Sequence, residues 1–401
     1  MESIDYLREL AAVAPDRGSA GMQERQAARW IAQRLRGMGY TVSEQPFRTT
    51  RDNLYLMPVQ VFALAIAAGW LSLAGYNWLP LVLLAYGLAV LLAEVSGYPL
   101  DLSAMPRFQS QNVYTEPVGV SSATIFVTAH YDTQRGSFLF HPRLLRYLAG
   151  WFRFCYAGLL VVSLGVVAEA AGWRAGLPLV VAGLTGCVVA LIVFALAEIT
   201  GRYTPGANDN GTGAALALYL AEDYVHCRGD YPAGCQLRLL FTGSEEAGEK
   251  GMKAFLRAQR SVLGKQVAMF VNLDNLGTGR LTYLSGEGMV WYRRAGRALL
   301  GAARATPEAE ERKNLLLPTD ALPASALGYE AISFLGLEPN GHPGNYHYHT
   351  DTLGNVEPEF LRFQQSYFKR YLMQVMSDRA TGATALPQPP LARRTTAGAA
   401  S

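Results

Sequence analysis

The sequence predicts an α/β fold interrupted by two pairs of apolar helices long enough to cross a membrane. Three observations predict it. Short apolar runs alternate with helical patterns over most of the chain, the mark of strands joined through helices. Several of these runs end in a residue that can hold a cation or move a proton. Charged residues fill only 17% of the 401 positions, against about a quarter in soluble domains, and the deficit is concentrated in two blocks.

Ile4, Leu7, Leu10 and Ala11 are spaced for an amphipathic helix, and a second helical pattern runs from Met22 to Met38. The acidic, amphipathic start does not read as a cleavable signal peptide. Gly39-Tyr40-Thr41-Val42 predicts a turn into a strand. From Asn53 to Ala93 there are 41 residues without a charge, which fits two membrane helices of about 20 residues each. Gly75-Tyr76-Asn77-Trp78-Leu79-Pro80 breaks them, with aromatics suited to a membrane interface. A second pair, Leu148–Ala171 and Ala175–Ala197, breaks at Gly172-Trp173-Arg174.

Between the hairpins, Asn112-Val113-Tyr114 and Ala123–Thr128 read as strands, the latter running into His130 and Asp132. After the second hairpin, Asp209-Asn210-Gly211-Thr212-Gly213 precedes a helix from Ala214 to Tyr224. Leu239–Thr242 is an apolar strand that turns at Gly243-Ser244 into Glu245-Glu246, followed by a helix near Gly251–Gln259. Val267–Asp274 and Ala331–Leu335 are further strands, Gly341–Leu353 is a His-rich loop, and a helix from Glu359 to Met376 closes the fold. The expected division is 1–52, 99–143 and 200–380 for the soluble unit. Residues 53–98 and 144–199 form the two hairpins, and 381–401 a tail with no means to pack.

A net charge of +3 gives no reason to expect a nucleic-acid partner. The four cysteines form no disulfide framework: Cys155 and Cys187 sit in apolar runs, and Cys227 and Cys235 read as free thiols. Arg48, Arg51, Arg107, Arg143, Arg146, Arg153 and Arg202 flank the hairpins on the side of the soluble unit, against Arg174 alone on the far side. That asymmetry predicts an integral membrane protein, bacterial inner membrane, with the soluble unit cytoplasmic.

Taken singly, the strand-end residues have ordinary structural readings. His130 can be a satisfied histidine, Asp209 a helix cap, Asp274 a turn former, and Glu245-Glu246 a solvated pair at a helix start. Together, oxygen and nitrogen donors at successive strand exits suit zinc. One carboxylate of the Glu pair can then hold a cation while the other moves a proton.

The ordered motifs His130-Tyr-Asp132, Asp209-Asn-Gly-Thr-Gly, Glu245-Glu246-x-Gly-x-x-Gly, Asn272-Leu-Asp274 and Tyr346-His347-x-x-x-Asp351-Thr resemble the co-catalytic di-zinc aminopeptidases. Their superfamily also includes glutamate carboxypeptidases and glutaminyl cyclases. The resemblance covers the N-terminal helices, residues 105–135 and residues 203–378, and implies a mixed central sheet flanked by helices, a three-layer sandwich. It implies two zinc ions bridged by Asp209, one completed by His130 and Asp274, the other by Glu246 and His347, with His349 as a competitor for His347. Asp132 would orient His130, Glu245 would be the general base for a metal-bridging water, and Tyr346 would help stabilise the oxyanion. Asp320 and the Leu315–Leu327 stretch would line the substrate cleft, whereas His141, His226 and His342 fall outside the motifs.

The implied activity is N-terminal hydrolysis of a peptide substrate by a protein held in the lipid bilayer, with a homodimer open. A one-zinc aminoacyltransferase of the glutaminyl cyclase kind and a non-catalytic binding domain stand as alternatives. The main departure is the 76 residues between Asp132 and Asp209, where soluble relatives have a short connection.

Overall fold

The computed structural model describes residues 1–51, 54–119 and 121–381; the expected tail therefore lies almost wholly outside the described residues. The chain opens with α1 (Ser3–Val13), α2 (Met22–Gly37) and β1 (Val42–Thr49), then α3 (Leu56–Leu73) and α4 (Trp78–Val95). Next come β2 (Phe108–Thr115), β3 (Ala123–His130), β4 (Arg135–Gly136), α5 (Leu148–Ala170), α6 (Gly176–Thr200) and β5 (Arg202–Tyr203). The remainder is α7 (Gly213–His226), β6 (Cys235–Thr242), α8 (Lys250–Gln259), β7 (Ala268–Asp274), β8 (Arg280–Glu287) and β9 (Arg293–Arg294). It ends with α9 (Arg297–Ala305), β10 (Glu310–Asn314), α10 (Ala321–Ala326), β11 (Glu330–Leu337) and α11 (Pro358–Ala380).

A nine-stranded mixed sheet runs in the order β1-β2-β6-β3-β7-β11-β8-β10, with β9 on β8. β3 is buried along its whole length and pairs in parallel with β6 and β7. That is why Ala123–His130 reads as a continuous apolar run rather than an alternating one. β11 continues the parallel set beside β7, so β6, β3, β7 and β11 all end at one sheet edge. α1, α2, α7, α9 and α11 cover one face around Leu216, Leu239 and Phe334. α8 and α10 cover the other, where Phe126, Phe255 and Phe270 pack together. The expected mixed sheet between helical layers is what the chain forms.

Strands β8 and β10 and helix α9 fall in a region where the sequence reading placed no element. β10 is Glu310-Glu311-Arg312-Lys313-Asn314 on the sheet edge. A strand held by backbone pairing with little burial carries no hydrophobic period to detect.

Helices α3, α4, α5 and α6 are each long and apolar enough to cross a membrane. They form one packed group, α3 against α4, α5 and α6, and α5 along α6. Close approaches between these helices are made at Gly183 and Gly165. A Cβ at Gly183 would stand 2.2 Å from Val162 N, and one at Gly165 2.5 Å from Val180 N. Gly69 likewise meets Leu184 of α6 closely, whereas Gly75 lies open in a turn at φ +86°.

The insertions are fastened to the sheet unit at both necks. β4 pairs with β5 to close the second hairpin, and Arg135 Nη1 donates to Glu198 Oε1 at 2.7 Å. Glu94, near the end of α4, sits 2.9 Å from Lys250 Nζ and 3.6 Å from Lys253 Nζ of α8. Lys253 also meets Glu249 at 2.8 Å, and Lys250 meets Asp101 at 3.4 Å. Lys250, Lys253 and Glu249 are buried at this junction, and Glu94 and Asp101 are partly buried. Breaking a buried pair from one side leaves its partner uncompensated. Glu94→Ala is expected to destabilise the protein by about 3 kcal/mol in denaturant titrations in detergent micelles, and Glu94→Gln by less.

Candidate metal centre and active site

The shared sheet edge collects the site. His130 ends β3 and Asp274 ends β7. Beyond β6 the chain turns through Ser244, at φ +52°, into Glu245 and Glu246. Asp209 comes from the Ala207–Thr212 turn before α7, with a cis peptide to Asn210. His347, at φ +48°, comes from the loop after β11.

Asp209 stands between two groups. Its Oδ1 is 3.4 Å from His130 Nε2, and its Oδ2 is 3.2 Å from His347 Nε2. Asp274 Oδ1 approaches the same nitrogen of His130 at 3.4 Å, and Glu246 Oε2 the same nitrogen of His347 at 3.3 Å. His130–Asp209–Asp274 and Asp209–Glu246–His347 are thus two clusters of metal-type donors sharing one carboxylate. Glu245 adds a third approach, its Oε2 3.9 Å from His130 Nε2. Among the described residues, Asp209 Oδ2 and Glu246 Oε1 are buried without a hydrogen-bond donor. Buried carboxylate oxygens left this way are costly, and a cation among imidazole and carboxylate donors removes the cost. The donor set fits zinc.

Electrostatics point the same way. Burial raises the carboxyl of Glu245 well above its ordinary value, with Asp320, Glu246 and Asp274 adding to it. Burial also lifts Glu246, to about 7, despite His347. Burial depresses the imidazoles, but the surrounding carboxylates outweigh it, leaving His130 well above its usual range and His347 at about 10. For Asp209, burial raises, yet the two histidines hold it below the usual carboxylate range. The cluster therefore calls for positive charge, and protons and metal ions compete for the same donors.

Two buried aspartates hold the ligand-bearing backbone. Asp132 Oδ1 accepts the Glu245 N–H at 2.9 Å, and its Oδ2 accepts the Glu246 N–H at 3.2 Å. Asp351 does the same one turn away, with Oδ1 accepting Asn208 N–H at 2.6 Å and Oδ2 accepting Asp209 N–H at 2.9 Å. His130 Nδ1 lies 3.2 Å from the Asp132 carbonyl and 3.7 Å from its carboxylate. The expected Asp132–His130 link is thus made chiefly through the main chain, and the Asp132 carboxylate serves the Glu pair.

Arg17 and Glu24 support the site from positions that carry no signal in the sequence. Arg17 is fully buried and donates to the carbonyls of Tyr131, Ala14, Pro205 and Gly206. It thereby joins the exit of β3 to the segment entering Asp209. Glu24, from α2, accepts from both the N–H and the hydroxyl of Ser244. In sequence each looks like an ordinary surface charge, Arg17 in a Pro-Asp-Arg-Gly loop and Glu24 in a first helical turn.

Of the competing histidines, His347 faces the cluster, whereas His349 is exposed and packs on Tyr348. The Tyr346 ring stacks on His347 with centroids 3.9 Å apart, and Phe140, from the lead into α5, touches both. Leu316, Leu317 and Leu322 line the cavity over the cluster, as the expected cleft stretch requires. Asp320 does not line it. Its carboxylate turns back to accept from Thr242 Oγ1 behind the cluster, because a lone buried acid needs a donor. His342, set aside in sequence, does line the cavity.

The profile of Peptidase family M28 matches residues 193–369, which takes in Asp209, Glu245, Glu246, Asp274 and His347 but not His130. No curated protein matches the chain. Solved structures share the fold at low identity. A Zn-dependent exopeptidase from Parabacteroides distasonis is 12% identical with a TM-score of 0.51, covering 92% of this chain and 97% of its own. A Porphyromonas gingivalis glutaminyl cyclase is 12% identical with a TM-score of 0.51, covering 92% and 96%. A leucine aminopeptidase precursor from Bacteroides thetaiotaomicron is 13% identical with a TM-score of 0.52, covering 94% and 95%.

Replacing Asp132 by Asn turns one of the two acceptors facing Glu245 and Glu246 into a donor. Asp132→Asn is expected to lower stability by about 2 kcal/mol, read by chemical denaturation, and to weaken zinc binding in equilibrium dialysis.

Proposed function

From its likeness to the superfamily of di-zinc aminopeptidases and glutaminyl cyclases, we propose that this chain is a membrane-anchored zinc peptidase releasing N-terminal residues from peptides. The observation that carries the reading is the sharing of Asp209 between two donor clusters, each holding one histidine and one further carboxylate. His130 and Asp274 would hold one zinc ion, Glu246 and His347 a second, and Asp209 would bridge them. When bound, such a pair supplies Lewis-acid polarisation of the scissile carbonyl and makes water acidic enough to attack near neutral pH.

The remaining work falls to side chains. Glu245 ligates neither ion in this reading, takes a proton from the attacking water and returns it to the leaving amine nitrogen. Asp132 fixes the peptide units on which Glu245 and Glu246 hang. Tyr346, in the cavity wall beside His347, donates to the developing oxyanion.

The glutaminyl cyclases of like fold favour one rival, an enzyme that closes an N-terminal glutamine onto itself. Release of a free amino acid supports the peptidase; formation of pyroglutamyl peptide without such release supports the cyclase.

The four apolar helices are proposed to cross the bilayer as two hairpins, which returns the soluble unit to one side each time. Exposed Trp70, Trp78 and Trp173 near the far turns suit the distant interface. The arginine asymmetry puts the sheet unit in the cytoplasm, at a bacterial inner membrane in this reading.

Glu245→Gln is expected to keep its zinc and to lose roughly 10²–10⁴ in kcat; a variant with metal intact and undiminished turnover would remove Glu245 from the role of base. Elemental analysis should find two zinc ions per wild-type chain and one in His347→Ala. Stripping zinc with a chelator is expected to lower stability by about 4 kcal/mol where free zinc had stood a thousandfold above its Kd.

A further inference from the structure

The cavity over the metal cluster does not stop at the sheet unit. Its wall runs from His130, Glu245 and Asp274 onto Val61 and Phe62 of α3, Phe152 and Leu159 of α5, and Phe194 of α6. On α5 the lining residues Leu148, Phe152, Cys155 and Leu159 fall on one helical face. They span about 16 Å of helix at 1.5 Å per residue, comparable to half of a ~30 Å hydrocarbon core. The cavity volume is about 220 Å³, many times the ~10–15 Å³ that one water centre needs.

The wall is mainly apolar along α3, α5 and α6, and polar near the cluster and at Glu94 of α4. Gln134, Asn275 and Asn314 all line it, and Asn275 Oδ1 is buried without a hydrogen-bond donor among the described residues. Such a wall suits a chain that carries amide N–H groups as well as apolar side chains. An acyl chain would leave the Asn275 acceptor unmet. At the mouth, the β8–β9 turn reaches the helices. Tyr156 of α5 donates to Met289 Sδ at 2.6 Å, and Arg293 lies over the ring of Tyr98, just after α4. Between these contacts Val290 and Trp291 stand exposed, an apolar tip where the sheet unit meets the membrane-length helices.

We propose that this cavity takes a peptide with a long apolar stretch beside its scissile bond. Its apolar side chains lie against α3, α5 and α6 at bilayer depth while the scissile amide reaches the Asp209 cluster. The position of the scissile bond rests on the peptidase reading; the apolar subsite does not.

The test uses the full chain in lipid nanodiscs and two octapeptides with the same N-terminal residue, one of leucines and one of glycine and serine. Each carries one photoreactive benzoylphenylalanine. The leucine peptide is expected to crosslink to Phe62, Cys155 or Leu159, and to be displaced by its unlabelled form but not by the glycine-serine peptide. Crosslinks confined to the outward-facing Leu160 and Leu164, or to the sheet unit, would overturn the subsite. Its hydrolysis is expected at a kcat/KM at least tenfold above that of the polar peptide, and Val61→Trp should narrow that ratio below twofold. Equal hydrolysis of both peptides without helix crosslinks sinks the subsite and leaves the peptidase reading standing. Helix crosslinks without hydrolysis of either peptide do the reverse.

Discussion

The structure is organised by the cost of crowding carboxylates in a dry place. Asp209, Glu245, Glu246 and Asp274 converge with two imidazoles at the exits of parallel strands, all of them nearly or wholly buried. Like charges at such distances repel strongly in a low-dielectric site, so the cluster is tolerable only if positive charge is brought to it. Part comes from the histidines, which carbonyl contacts and stacking rings hold in place. The rest is the natural part of bound cations. A sheet that ended these strands in apolar residues would be more stable and chemically inert.

Around this cluster the fold repeats one device. Asp132 accepts two successive backbone N–H groups beneath the Glu pair, and Asp351 accepts two beneath Asp209. Each clamp fixes the direction in which a functional carboxylate leaves the main chain without engaging that carboxylate itself. Arg17 joins the segments that carry these clamps, its guanidinium donating to backbone carbonyls, and supplies a fixed positive charge near Asp351, Asp132 and Asp209. Burial lowers its pKa to about 10, with those aspartates acting against the shift, so it stays protonated at neutral pH. A residue that satisfies four carbonyls and balances three carboxylates at once is a positioning device for the whole sheet edge.

The strand exits were legible in sequence because burial wrote them there. β3 and β7 are buried at every residue, and both end in a donor, so an apolar run followed by His or Asp marks a strand exit that carries one. The two hairpins were legible for the same reason, as stretches with no charge. What was not legible depends on contacts between distant segments. Arg17 is buried because Ala14, Tyr131, Pro205 and Gly206 converge on it, and nothing local announces that. Asp320 has the position of a cleft residue, yet its bond to Thr242, fixed only by tertiary packing, turns it away. β10 escaped because edge strands are held by backbone pairing alone.

The hairpins are more than attachments to an otherwise complete peptidase fold. Phe140, leading into α5, packs on both His347 and Tyr346, and it belongs to the same apolar cluster as α3, α5 and α6. At the other hairpin, Glu94 holds the buried Lys250, four residues after Glu246, through a largely shielded ion pair. Each side of the donor cluster is therefore in contact with the apolar helices. Separating helices from sheet would uncover the Phe140 cluster and strand the lysines of α8, both strongly unfavourable. The site and the helices are consequently one physical unit, and the chain cannot shed its apolar half and keep the geometry of its polar one.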